Sequence, residues 1–223
     1  MNTLFLISLV VAVCSAVEDV SNVRQDFKTS TIHALNEQIV KELQASYIYK
    51  AYSQYYARAD VSLPGFAKFF SKAAKEESEH AEKLMDYLNM RGGEVKLQDI
   101  KLNDVCDVVS EELGKHSGIE NSRTKACMCY FMAKSQAWNF CGDRDEWYNG
   151  LMGMEDALVL ERFVNQKLLD LHKATESDAH LSHVLEHDFL DEQVQSIKSI
   201  GDTVKQLRRV KKGLGEYLLD GKM

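Results

Sequence analysis

Polar side chains stand at core positions in four long amphipathic stretches, and this narrows what the chain can fold into. Between residues 66 and 87, Phe66, Phe70, Ala73, Glu77, His80, Leu84 and Tyr87 follow a 4-3-4-3-4-3 spacing. That spacing marks one face of a helix. Glu77 and His80 interrupt the apolar seam at its middle. A carboxylate and an imidazole turned toward a core are costly unless a partner charge or a metal ion compensates them. The Glu-x-x-His spacing favours the metal, because side chains at i and i+3 converge on one point.

The same register test finds interruptions elsewhere. In the first helix Ile32, Leu35, Ile39, Glu42, Ser46, Tyr49 and Ser53 follow 3-4-3-4-3-4, which turns Glu42 and Tyr49 inward. In the third, Leu151, Glu155 and Leu158 share a face. In the fourth, Glu186, Leu190, Gln193, Ile197, Ile200, Val204 and Leu207 follow 4-3-4-3-4-3, and Gln193 breaks the stripe. Taken singly, each has an ordinary reading: a salt-bridged acid, a packed tyrosine, a hydrogen-bonded amide. Taken together, three carboxylates, one imidazole and one amide on four helices can hold two cations. Oxygen-rich ligation with a single histidine suits iron or manganese better than a thiolate-seeking metal.

The pattern predicts helices over about 31–58, 65–90, 147–174 and 179–210, with a short one at 214–220. Ser30 or Thr31 can cap the first, and Pro64 and Gly65 suit the opening of the second. Arg91-Gly92-Gly93 is a C-terminal stop. Helices of about 26 residues are roughly 40 Å long. Two tight turns and one long middle link give an all-α four-helix bundle in which the long crossover lets helices 2 and 3 run parallel. A single proline in 223 residues favours long helices over many short strands. The net charge of −7 makes nucleic acid an unexpected partner.

The apolar run Leu4–Val13, broken by Ser8 and followed by Cys14-Ser15-Ala16, reads as a secretory signal peptide over 1–16. It is too short to span a bilayer, and no later stretch is apolar enough to do so. Residues 17–30 read as a polar N-terminal extension and 31–223 as the helical domain. Cys106, Cys127, Cys129 and Cys141 remain after cleavage, an even set that suggests disulfides in a secreted chain. The pairing is open between 106–127 with 129–141 and 106–129 with 127–141. A cysteine metal site is the rival reading, though no CxxC completes it.

Several stretches match a known family. Glu42-Leu-Gln-Ala-Ser-Tyr-Ile-Tyr49, Glu76-Glu-Ser-Glu-His-Ala-Glu-Lys-Leu-Met85, Arg91-Gly-Gly93, Leu97-Gln-Asp-Ile100, Met154-Glu-Asp-Ala-Leu158, Val164-Asn-Gln166, Leu171-His-Lys173 and Asp191-Glu-Gln-Val194 resemble a secreted, heavy-chain-type ferritin of an invertebrate. The resemblance covers about 31–105 and 144–220. It implies a ferritin-like bundle with a short fifth helix, and ferroxidase ligands at Glu42, Glu77, His80, Glu155 and Gln193 with Tyr49 beside them. It implies mineral nucleation at Glu76, Glu79 and Glu82. It also implies a three-fold channel through His172, His183 and Glu186, where His183 replaces the acid usual in the family. His180, His183 and His187 share a helix face, which reads as a solvated, titratable surface before it reads as a Zn²⁺ site. The chief departure is an insertion at about 107–142 carrying Trp138 and three of the mature cysteines. It is either a disulfide-stapled lobe or a translated intron or gene-model error, and the even cysteine set favours the lobe.

The function implied is iron storage: Fe²⁺ is the substrate, O₂ oxidises it at an intra-bundle di-iron centre, and Fe³⁺ is deposited as mineral inside a 24-subunit shell, homo- or hetero-oligomeric. Other di-iron oxidases carry a second Glu-x-x-His on the fourth helix. Here that place reads Glu192-Gln193-Val194-Gln195, without histidine. The remaining alternative is a carrier or structural subunit that co-assembles with a different ferritin chain.

Overall fold

The computed structural model describes residues 23–102, 105, 149–211 and 213–223. The expected signal peptide, the four mature cysteines, Trp138 and the insertion at 107–142 lie outside the described residues. Among the described residues the elements are helical: α1 (Thr29–Tyr56), α2 (Pro64–Met90), α3 (Gly150–Ala174), α4 (Ala179–Leu185), a π-helical turn (Glu186–Leu190), α5 (Asp191–Val210) and α6 (Leu214–Asp220).

Helix α1 starts ahead of the first apolar position of its stripe. Lys28 occupies the N-cap without a side-chain cap, so neither Ser30 nor Thr31 plays that part. Phe27 fixes the chain just before it. Its ring is buried, meets Tyr87 edge-on at 6.2 Å and lies under the Arg91 guanidinium at 4.6 Å. The end of the N-terminal extension is therefore held by the core. Pro64 opens α2, where its missing N–H costs nothing. Gly92 closes α2 with φ 72°, in the left-handed region that a glycine enters without strain. The Gly93 N–H then donates to the Leu88 carbonyl at 2.8 Å. Asn149 caps α3 by accepting from the Met152 N–H at 3.0 Å, and Asp178 caps α4 by accepting from the Leu181 N–H at 3.0 Å. Short polar side chains of this kind satisfy N–H groups that a helix leaves unpaired at its start.

The fourth rod is not one continuous α-helix. The Asp191 N–H bonds to the Glu186 carbonyl, five residues back, across the wide turn. An i to i+5 bond of this kind defines a π-bulge. That turn keeps Leu181, Leu185, Phe189 and Gln193, spaced by fours, on the buried side. A regular helix would have rotated them off it. Below the turn the expected stripe of Gln193, Ile200, Val204 and Leu207 is buried. Above it, the wide turn puts Phe189 inside and leaves Glu186 exposed, contrary to the uninterrupted register.

Side-chain pairs fix the topology. Ser53 bonds to Ala67 and Ser46 to Ala74, so α1 and α2 are antiparallel. Tyr56 reaches Asn149, Tyr52 reaches Asp156 and Tyr49 reaches Glu161, so α1 and α3 are also antiparallel. Helices α2 and α3 consequently run parallel, as a long crossover requires. The fold is a four-helix bundle with one long crossover and a short C-terminal helix.

The bundle core is apolar and aromatic. Phe70 stacks on Tyr52 at 5.0 Å and on Tyr56 at 5.4 Å. Helix α3 approaches this stack closely, because a Cβ at Gly150 would lie 2.1 Å from the Phe66 ring and one at Gly153 would lie 2.1 Å from the Tyr56 hydroxyl. Helix α6 closes the same end. Asp220 accepts from the Phe66 N–H at 2.9 Å and Glu216 from the Gly150 N–H at 2.6 Å. Each carboxylate meets the positive end of a long helix.

Candidate metal centre

All seven seam positions of α2 are buried, Glu77 and His80 among them. On α1 the register brings Glu42 and Tyr49 inward, fully enclosed. One ligand atom from each of Glu42, Glu77 and His80 lies within 4.8 Å of the other two. The cluster sits midway along the α1–α2 pair, facing the fourth rod. Gln193 of that rod is 2% exposed and hydrogen-bonds to Glu161, whose charge acts on Glu77.

The electrostatics of the cluster would favour a cation. Glu42 Oε2, Glu77 Oε2 and Gln193 Oε1 are buried and accept no hydrogen bond, which is costly for groups in a dry interior. Gln38 Nε2 donates to Glu42 Oε1 at 2.8 Å, leaving the other oxygen free. His80 Nδ1 stands 3.6 Å from Glu77 Oε2, beyond hydrogen-bond length. His80 Nε2 lies 3.1 Å from Glu192 Oε2. Burial, reinforced by the charge of Glu77, pushes the Glu42 carboxyl well above its ordinary range. Burial, reinforced by Glu161, does the same to Glu77. A divalent cation would offset that desolvation and give the orphaned carboxylate oxygens a partner.

Helix α3 corrects the expectation for Glu155. Its side chain does not face the cluster; Oε1 accepts from Arg208 Nε at 3.0 Å and Nη2 at 2.7 Å. The inward carboxylate of α3 is Glu161, which is 3% exposed. Tyr49 donates its O–H to Glu161 Oε1 at 2.5 Å, and Gln193 and Ser196 hydrogen-bond to the same carboxylate. Burial raises the Glu161 carboxyl despite these bonds. The signal for it was present. Met154, Ala157, Glu161, Val164, Leu168 and Leu171 follow 3-4-3-4-3, and all are buried. Leu151, Glu155 and Leu158 form a half-buried flank instead. Glu192, exposed enough to meet solvent yet bonded to His80, is the other group the apolar stripes do not reveal.

The remaining sites divide. Glu76 pairs with Lys72 at 2.7 Å and Glu79 with Lys75 at 3.0 Å, each one helical turn away, and Glu82 is exposed. Lys75 holds the Glu79 carboxyl below its ordinary value. His172 Nε2 and Glu186 Oε1 come together at 2.9 Å. His183 does not join them; its ring meets His187 at 4.4 Å. His180 turns to Tyr87, with ring planes 15° apart.

Residues 32–210 match the ferritin-like domain family. The chain is 46% identical to yolk ferritin of Lymnaea stagnalis, over 96% of this chain and 92% of that protein. It is 43% identical to soma ferritin of the same organism, over 90% of this chain and 94% of that one. The chain belongs to the ferritin family.

Proposed function

We propose that this ferritin is an active ferroxidase as well as an iron store. As a ferritin it binds and stores iron within an oligomeric shell of like subunits. The finer reading is that Glu42, Glu77, His80, Glu161 and Gln193 bind two ferrous ions, with Glu77 between them, while Tyr49 and Glu192 flank the pair. Two Fe²⁺ ions and two protons then convert O₂ into two Fe³⁺ ions and hydrogen peroxide. Buried carboxylates favour the more highly charged Fe³⁺ over Fe²⁺, which promotes loss of the electron. The observation that carries this reading is the set of three buried, orphaned oxygens on Glu42, Glu77 and Gln193.

The product would hydrolyse to mineral in the cavity of a 24-subunit shell, nucleated by Glu76, Glu79 and Glu82; the surface lysine pairs of Glu76 and Glu79 are weak and easily displaced. Ions would pass in by His172 and Glu186, with His183 and His187 nearby. No helix among the described residues is long and apolar enough to cross a membrane. Secretion rests on the leader at 1–16, and the N-terminus of the mature protein, expected near Val17, checks it by mass spectrometry.

Aerobic oxidation of Fe²⁺ by the purified shell tests the central reading. Glu77→Ala and His80→Ala should each slow the initial rate by at least tenfold. Unchanged rates would favour the second reading, a carrier subunit that relies on a different, active chain.

A further inference from the structure

The core holds a second tyrosine arranged like Tyr49. Tyr49 and Tyr52 both rest on the Phe70 ring, at 5.9 Å and 5.0 Å between centroids. Each donates its O–H to a buried carboxylate of α3, Tyr49 to Glu161 and Tyr52 to Asp156. Tyr56 stacks on the same Phe70, nearly parallel at 6°, but its O–H donates to the Asn149 backbone carbonyl at 3.1 Å. This difference matters chemically. A buried phenol gives up an electron readily only when its proton can leave in the same event. A carboxylate can hold that proton and an amide carbonyl cannot.

We infer that Tyr52, paired with Asp156 and stacked on Phe70, is a second electron donor to the metal centre, and that together with Tyr49 it reduces the peroxide formed there to water. This rests on the ferroxidase reading, which supplies the peroxide. In the step, the O–O bond of hydrogen peroxide breaks and two O–H bonds form, giving two waters. The two electrons come from Tyr49 and Tyr52. The two protons are their phenolic protons, passed through Glu161 and Asp156. Two neutral phenoxyl radicals remain. Two further Fe²⁺ ions and two protons restore the phenols and leave two Fe³⁺. Over the whole cycle four Fe²⁺ ions, one O₂ and four protons yield four Fe³⁺ ions and two waters. Tyr56, whose O–H is bonded to a backbone carbonyl instead of a carboxylate, stays reduced. The arrangement removes peroxide where ferrous iron would otherwise turn it into hydroxyl radical.

The test measures iron oxidised per O₂ consumed, peroxide released, and the freeze-quenched phenoxyl signal by electron paramagnetic resonance, all on the assembled shell. The wild type should approach four irons per O₂ with little peroxide. Tyr52→Phe should fall toward two, release the balance as peroxide and lose about half of the phenoxyl signal. Asp156→Asn should do the same through the lost proton acceptor, and it serves if Tyr52→Phe does not assemble. Tyr56→Phe should match the wild type. If Tyr52→Phe and Asp156→Asn keep the wild-type ratio, peroxide yield and radical amplitude, the proposal is overturned. A wild type that oxidises iron no faster than Glu77→Ala would instead remove the ferroxidase reading beneath it.

Discussion

Glu77 carries two opposed demands. It is enclosed with one oxygen unpartnered, and its carboxyl is raised well above the ordinary value of 4.5 by burial and by neighbouring acids. The folded protein therefore holds that proton to higher pH than the unfolded chain does. A raised carboxyl costs stability above the unfolded value, and the cost grows as pH rises toward the folded value. Glu77→Gln should accordingly melt higher than the wild type at neutral pH when metal is absent, and the difference should vanish below about pH 4.5. The same variant should lose iron oxidation, which separates stability from activity at one atom. Asp178 gives the opposite sign. Partial burial works against its ionisation, but hydrogen bonds from Arg91 and from the Leu181 N–H outweigh it and hold the carboxyl below its ordinary 3.8. Its contribution is present above that value and is lost as pH falls through the lower, folded value. Asp178→Ala should destabilise the protein by about 1 kcal/mol at neutral pH, and denaturant melts at pH 7 and pH 3 should show the gap closing in acid.

At the scale of the elements, the choice between Glu155 and Glu161 makes a clean prediction. Glu161→Gln should slow Fe²⁺ oxidation by about 10- to 100-fold, as loss of a ligand or its support does. Glu155→Gln should leave oxidation unchanged. Its Arg208 partner is 43% exposed, and so open a pair is worth no more than about 1 kcal/mol. Stopped-flow absorbance on both variants distinguishes them. Residues six apart on a helix point about 120° away from each other, so only one of the two acids can face the centre. Helices α1 and α2 are legible in sequence because seven consecutive seam positions keep one phase. Helix α3 is less so, since Leu151, Glu155 and Leu158 mimic a seam over too few turns, while the true one begins at Met154. The π turn is invisible to a regular register for a physical reason. It is a change of phase, and Leu181, Leu185 and Phe189 are read correctly only after that change is allowed. The capping of α2 and α3 by α6 is likewise beyond local pattern, because Asp220 and Glu216 act on residues more than sixty positions away. Asp220→Ala should cost about 1–2 kcal/mol, read as a lower denaturation midpoint.

For the whole molecule, ferritins store iron within a shell of ferritin subunits, so storage depends on assembly. Leu97 is 69% exposed and Tyr47 is 56% exposed in the isolated subunit. Apolar side chains left open in this way suit burial against a neighbouring subunit. Mass photometry should find particles many times the 25.3 kDa subunit, and Leu97→Arg should shift them toward small species. The parallel course of α2 and α3 brings the buried Glu161 close enough to Glu77 for its charge to act on it. The decisive question is where iron binds first. Crystals of the shell soaked anaerobically with Fe²⁺ and recorded at the iron absorption edge should show two anomalous peaks among Glu42, Glu77, His80, Glu161 and Gln193. Iron bound elsewhere, with no anomalous peak between Glu42 and Glu77, would contradict a di-iron centre in this bundle.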